Sequence, residues 1–320
     1  MTHTHKVLNL FQTGETIYEI MRSVMPAEFG LQTLATGTRV EVLKQLEDAE
    51  FVIAVNMDAE LIAGAPRLKL IQLSGVGFDG VDLEAARRAG IPVAQTVEGT
   101  ILGVAEHTLL LILGLYKRLV LLDTSMRRGE WLVWQHRHHS YTLAGKTVGI
   151  VGLGRIGREV AKRCRAFETQ LLYHDPVRAD RSIEESLNAQ YVPFLDLLTQ
   201  SDIVTLHLPL LPTTKHLFGE SEFRRMKPSS IFINTARGGL VHEPSLVSAL
   251  QEGWIAGAGL DVFAKEPPEP DNPLFKLANV MLSPHCATGT RDSIVEKTRA
   301  ACENFRRVLR NEPPLNVVNP

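Results

Sequence analysis

Residues 146–157, K-T-V-G-I-V-G-L-G-R-I-G, limit what this chain can fold into more than any other stretch. Val148, Ile150 and Val151 form a β-branched apolar run of the kind that makes a short buried strand. Gly152, Gly154 and Gly157 follow at the G-x-G-x-x-G spacing, with Arg155 and Ile156 between them. That spacing turns a strand tightly into a helix and offers the helix N-terminal amides to a dinucleotide pyrophosphate. Ordinary tight turns use glycine triplets as well, so the neighbouring sequence has to choose between the two.

Downstream, apolar segments at 148–151, 170–173, 203–206, 231–234, 256–261 and 280–282 read as strands, and 155–167, 222–226 and 244–251 as helices. The first of these helices carries Ile156, Val160, Cys164 and Phe167 on one side and Arg158, Lys162 and Arg165 on another, as a helix lying on a sheet should. The glycine turn thus opens a series of βα units. Asp175, in L-L-Y-H-D-P, stands at the end of the next strand, where a carboxylate accepts hydrogen bonds from ribose hydroxyls and repels a 2′-phosphate. This favours NAD; Arg178 keeps NADP as the alternative, and Pro176 also suits a plain turn.

The first hundred residues alternate in the same way. Strands are expected at 7–11, 31–35, 51–55, 68–73 and 92–94, with helices near 15–25, 39–46, 59–62 and 83–88. Parallel strands need crossovers, so the pattern implies a first α/β domain with a covered parallel sheet. Residues 101–122 are the most apolar long stretch and read as one buried helix; Glu106, His107, Lys117 and Arg118 interrupt them well short of the roughly 18 apolar residues of a membrane span. A final helix is expected near 292–309.

Lys and Arg number 34 against 36 Asp and Glu, so no positive excess draws the chain to nucleic acid or acidic membranes, and a small molecule is the expected partner. Cys164, Cys286 and Cys302 are odd in number and lack C-x-x-C spacing, which implies neither a disulfide framework nor a zinc site. The N-terminus has no basic region followed by an apolar stretch, and a cytoplasmic location is expected. His136, His138 and His139 have no carboxylate or cysteine companion and flank Arg137; a solvated loop without metal is expected there.

Six further motifs occur in order: S-G-V-G-F-D-G-V-D (74–82), V-A-E-H-T (104–108), H-L-P-L-L-P-T-T (207–214), T-A-R-G-G (235–239), D-V-F-A-K-E-P (261–267) and S-P-H (283–285). With the glycine turn they make nearly the whole chain resemble the D-isomer-specific 2-hydroxyacid dehydrogenases. The resemblance implies two Rossmann-like domains: a flavodoxin-like substrate domain from 1–100 plus 289–320, and a doubly wound parallel-sheet NAD-binding domain from 101–288, with the active site in the cleft between them. It also implies a homodimer through the 101–140 region, where Trp131 and Trp134 lie. Thr108, His207, Pro209, Thr214, Thr235, Ala236 and Asp261 match family positions near the cofactor.

The chemistry such a family performs explains the residue types. Reducing a 2-oxo acid requires a cation to hold the carboxylate and polarise the carbonyl, and a donor to protonate the alkoxide as hydride arrives. Arg237 suits the first role, because its fork of donors matches those oxygens better than a lysine would. His285 suits the second, and Glu266 would fix its tautomer if the two pair. The formate dehydrogenases related to this family carry Gln where Glu266 stands, which argues against formate. Gly75 and Gly77 would let amides, including those of Val76 and Gly77, approach a substrate carboxylate, and Asn56 and Met57 are candidates for the wall facing the substrate side chain. Glyoxylate or hydroxypyruvate reduction, 3-phosphoglycerate oxidation and reduction of bulkier 2-oxo acids all fit this core. A nucleotide-sensing corepressor is the alternative from another class.

Overall fold

The computed structural model describes residues 4–319, which fall into two compact units: 4–100 with 288–319, and 101–287. The first unit runs β1 (His5–Asn9), α1 (Glu15–Val24), β2 (Phe29–Thr33), α2 (Arg39–Leu46), β3 (Phe51–Ala54), α3 (Ala59–Ala63), β4 (Leu70–Leu73), α4 (Leu83–Arg88) and β5 (Val93–Ala94). Its strands form a parallel sheet in the order β2-β1-β3-β4-β5. Strands β3 and β4 are buried at every residue because helices cover both faces, which is why they are apolar without alternation. Thr38, Asp58 and Asp82 begin α2, α3 and α4 by accepting the amide three residues on.

The second unit opens with α5 (Ile101–Tyr116) and α6 (Leu119–Arg127) and continues β6 (Thr147–Val151), α7 (Arg155–Ala166), β7 (Gln170–His174), α8 (Arg181–Leu187), β8 (Ala189–Tyr191), α9 (Phe194–Gln200), β9 (Ile203–Leu206), α10 (Glu220–Arg225), β10 (Ile231–Asn234), α11 (Glu243–Gln251), β11 (Gly257–Leu260) and β12 (Val280–Leu282). All seven strands are parallel, in the order β12-β11-β10-β9-β6-β7-β8. The order reverses at β6, so the glycine turn after β6 lies at the topological switch point, where doubly wound sheets bind ligands. Helix α12 (Arg291–Leu309) returns to the first unit, capped by Thr290, and buries Phe305 against Phe51 with ring centroids 4.5 Å apart.

The single buried helix expected over 101–122 is two helices. Arg118 adopts φ +52 and ends the first, its amide bonded to the Leu115 carbonyl at 3.1 Å, and α6 starts anew at Leu119. One side of α5 lies directly on β11, since a Cβ on Gly259 would come within 2.9 Å of Leu111 Cβ. The other side leaves Leu102 and Leu110 about half exposed, so the stretch is not buried all round. Elements α8, β8 and α9 were not expected from the sequence: α8 is mostly polar and β8 is a three-residue strand with no β-branched side chain. Phe167, assigned above to the buried side of α7, caps that helix and is 41% exposed.

Candidate active site

Each glycine of the 152–157 turn has a separate steric job. Gly152 has φ +97, and a Cβ there would meet the His207 carbonyl oxygen at 2.6 Å, so only glycine fits the reversal. A Cβ on Gly157 would sit 2.1 Å from the Gly152 carbonyl oxygen; its absence lets α7 pack tightly on the strand end. Gly154 has nothing within 4 Å of its Cβ position, so the middle of the turn offers open space to a ligand at the N-terminus of α7. Three conditions for a pyrophosphate cradle are therefore met by this chain's own atoms. Arg155 is exposed at the first position of α7, and Ile156 packs inward against the core.

Asp175 follows β7 and braces the same turn: Oδ2 accepts the Leu153 amide at 2.9 Å and Oδ1 the Val177 amide at 3.2 Å. Arg178, the residue that left a 2′-phosphate open, is taken up by Glu184 through bonds of 2.8 and 3.0 Å. His207 lies beyond β9 with Nε2 3.0 Å from Thr205 Oγ1; burial pushes its imidazole down to about 3, so it is neutral near pH 7. After it, Thr214 folds the loop by donating to the Pro209 carbonyl and accepting from the Leu211 amide, each at 2.8 Å. Thr108 on α5 is fully buried, with Oγ1 2.9 Å from that of Thr235 at the end of β10.

Ala236 and Arg237 stand just past β10, braced by Asn234, which accepts the Ala236 amide and donates to the Arg237 carbonyl. The next residue, Gly238, is packed so closely that a Cβ would lie 1.9 Å from the Phe263 carbonyl oxygen. This backbone contact sets the T-A-R-G-G turn against the D-V-F-A-K-E-P loop. There Glu266 Oε1 accepts the Phe263 amide at 3.0 Å and Oε2 takes His285 Nδ1 at 2.6 Å. A carboxylate accepts, so Nδ1 carries the hydrogen and Nε2 faces away as the free end of the ring. Burial pushes the Glu266 carboxyl up, but the His285 and Phe263 hydrogen bonds and the nearby charges of His285 and Arg237 outweigh it and hold it below the ordinary range. A cavity of about 510 Å³ opens beside the pair, lined by Phe263, Phe275, Leu282 and the prolines 267, 268 and 284.

The chain as a whole is similar to known proteins. The family description "D-isomer specific 2-hydroxyacid dehydrogenase, NAD binding domain" matches residues 109–287. The glyoxylate reductase of Korarchaeum cryptofilum is 39% identical over 290 residues, covering 89% of this chain and 87% of that one. The chain belongs to the D-isomer-specific 2-hydroxyacid dehydrogenase family. A D-3-phosphoglycerate dehydrogenase of Archaeoglobus fulgidus is 38% identical over 286 residues, which span 88% of this chain but 54% of the relative. The structure of a glyoxylate reductase from Paecilomyes thermophila superposes with a TM-score of 0.84 at 31% identity, covering 98% of each chain.

In the first unit of this dehydrogenase, the loop after β4 is pinned from the rear. Gln95 donates to the Val76 carbonyl, and the Thr96 amide to that of Gly75 at 3.0 Å. Val76 and Gly77 are half-buried there. Asn56 is exposed and packs over Gly80, whereas the Met57 side chain is fully buried in the core, its backbone bridged to Gly80 and Asp82. Met57 therefore cannot wall a substrate pocket, because a fully buried core side chain presents no surface to a ligand.

Two participants went unnoticed in the sequence, His107 and Ser283. His107 Nε2 lies 2.7 Å from Ser283 Oγ, which donates to Asp261 Oδ1 at 2.6 Å. His107, Asp261 and Cys286 bring ligand-type atoms within 4.8 Å of one another. However, Asp261 already accepts the Cys286 and Ala287 amides at 2.9 Å each, and the Cys286 thiol is pushed up by burial and by Asp261. Hydrogen bonding thus accounts for the cluster. The three histidines at 136–139 form an exposed or half-exposed turn in which Arg137 stacks on Trp134. No described helix is long and apolar enough to cross a membrane.

Proposed function

We propose that this family member is an NADH-dependent reductase of small 2-oxo acids, forming the 2-hydroxy acid, of D configuration where C2 becomes a stereocentre, with glyoxylate and hydroxypyruvate the first candidates. The observation that carries the reading is the 2.6 Å His285–Glu266 bond beside the Arg237 turn, in the same unit as the glycine cradle. The names of its relatives point to the substrate class. When bound, NADH supplies the hydride that the carbonyl carbon accepts. Arg237 holds the carboxylate and draws electron density toward the carbonyl oxygen. His285 gives its Nε2 proton to that oxygen as the C=O electron pair moves onto it, and the ring is reprotonated from solvent. Glu266 keeps Nδ1 protonated and stabilises the charged ring. In the first unit, the amides of Val76 and Gly77 are candidate donors to a substrate carboxylate, and Asn56 a candidate specificity residue.

The turn at 152–157, with Thr108, His207, Pro209, Thr214, Thr235, Ala236 and Asp261, is assigned to the dinucleotide, and Asp175 to its ribose hydroxyls. Asp175→Ala is expected to weaken NADH binding about tenfold, the worth of one charge-assisted hydrogen bond, and to narrow the preference over NADPH. Fluorescence titration with both nucleotides measures this; an unchanged ratio removes Asp175 from the ribose site. The run of exposed apolar side chains on α5, α6 and the loop to Tyr141, among them Leu110, Val120, Met126, Trp131 and Trp134, is assigned to a homodimer contact. Sedimentation should give twice the chain mass, falling to one chain mass in Val120→Glu/Trp134→Glu; a monomeric wild type rejects the assignment. The function itself is tested by following NADH consumption with glyoxylate, hydroxypyruvate, pyruvate, phenylpyruvate and 3-phosphohydroxypyruvate. Turnover with one or more supports it; NADH binding without turnover on any would leave a nucleotide-sensing role.

A further inference from the structure

We propose that His107 is a positioning residue for His285, acting through Ser283 and Asp261; the proposal rests on the proton-donor role given to His285 above. The segment 283–287 is held largely by Asp261, beside the Ser283 amide bond to the Leu260 carbonyl and the His285–Glu266 pair. The Asp261 carbonyl accepts the His285 amide at 2.7 Å, and the Asp261 carboxylate accepts the Ser283 hydroxyl and the amides of Cys286 and Ala287. Between these anchors His285 sits at φ +50. A side-chain-bearing residue in that left-handed region costs about 1–2 kcal/mol, so it stays there only while its neighbours are fixed.

His107 determines whether they are. A serine hydroxyl has one hydrogen, and Ser283 gives it to the Asp261 carboxylate, whose oxygens accept in each of their bonds. Ser283 must therefore accept from His107, whose Nε2 carries the proton. Asp261 is fully buried, and among the described residues His107, 3.5 Å from Oδ1, is the basic side chain paired with it. His107 thus supplies the donor that completes the network from a rigid helix, 176 residues away in sequence from Ser283. Without it Ser283 can turn, Asp261 loses a partner, and the His285 ring is no longer aimed.

The test compares His107→Leu, His107→Gln, Ser283→Ala and the double variant His107→Leu/Ser283→Ala. A reacting group displaced by an ångström costs up to about a hundredfold, so kcat in His107→Leu should fall about ten- to a hundredfold. The 2-oxo acid KM should stay within about twofold, because the groups assigned to that substrate, Arg237 and the amides of Val76 and Gly77, are untouched; kcat is read at saturating NADH, since Asp261 is assigned to the dinucleotide. His107→Gln, which retains a donor, should recover to within about threefold of wild type, and the double variant should lose no more than the worse single one. Unchanged kcat in His107→Leu, losses confined to KM, or additive losses in the double variant overturn the proposal. Chelator treatment should leave wild-type kcat unchanged; a loss restored by zinc would show a metal site instead. Independently of turnover, the His285 ring resonance, assigned by its disappearance in His285→Ala, should move in His107→Leu and Ser283→Ala and return in His107→Gln. An unmoved resonance rejects the proposal, whereas a moved resonance in a protein that reduces no 2-oxo acid rejects only the catalytic reading.

Discussion

His285→Ala is expected to lower kcat by about a hundredfold to ten-thousandfold, the range that a positioned general acid contributes. Among the described residues the ring's hydrogen bond is the one from Nδ1 to Glu266, so truncation removes the donor at Nε2 without opening a core. The backbone keeps its place, because the Asp261 carbonyl still accepts the residue 285 amide and alanine meets the same left-handed constraint. NADH affinity should accordingly stay within about twofold of wild type and the melting temperature should barely move. Steady-state kinetics, NADH titration and a thermal melt on the same preparation measure all three. A variant that turns over at the wild-type rate would remove His285 from the mechanism.

Arg237→Gln is expected to be nearly as damaging and to act on two parameters together. Loss of a preorganised charged donor at a developing oxyanion costs about a hundredfold to a thousandfold in kcat, and loss of the carboxylate contact raises KM for the 2-oxo acid as well. Arg237→Lys should recover only part of this, since a point charge cannot bond two oxygens in a plane. The Arg237 charge also helps hold Glu266 below the usual carboxyl range. In the glutamine variant Glu266 should therefore protonate at a higher pH, and activity should fall off sooner on the acid side. A change in KM alone, with kcat and the acid limb intact, would make Arg237 a binding residue and no more.

Much of this architecture is written locally. The glycine turn is readable because its constraints are steric and lie within six residues: a positive φ at Gly152, an open face at Gly154, and a Gly157 that nearly touches the Gly152 carbonyl. Alternation of apolar runs with amphipathic stretches marks most strands because both faces are buried. What escaped depends on distance or on single backbone angles. Hydropathy over 101–122 does not register that Arg118 turns left-handed and splits the helix. Met57 follows a strand, as a pocket residue would, but the bridge to Gly80 and Asp82 turns its side chain into the core. His107 and Ser283 sit inside recognisable motifs, yet only the fold shows that one supplies the hydrogen bond the other needs.

The most direct test uses NADH deuterated at the nicotinamide C4 face from which hydride leaves, with hydroxypyruvate as acceptor, and analysis of the glycerate formed. D-Glycerate carrying deuterium on C2 is expected in the wild type, and none formed at a comparable rate by His285→Ala. Glycerate of the opposite configuration, or product without deuterium, would contradict the proposed function.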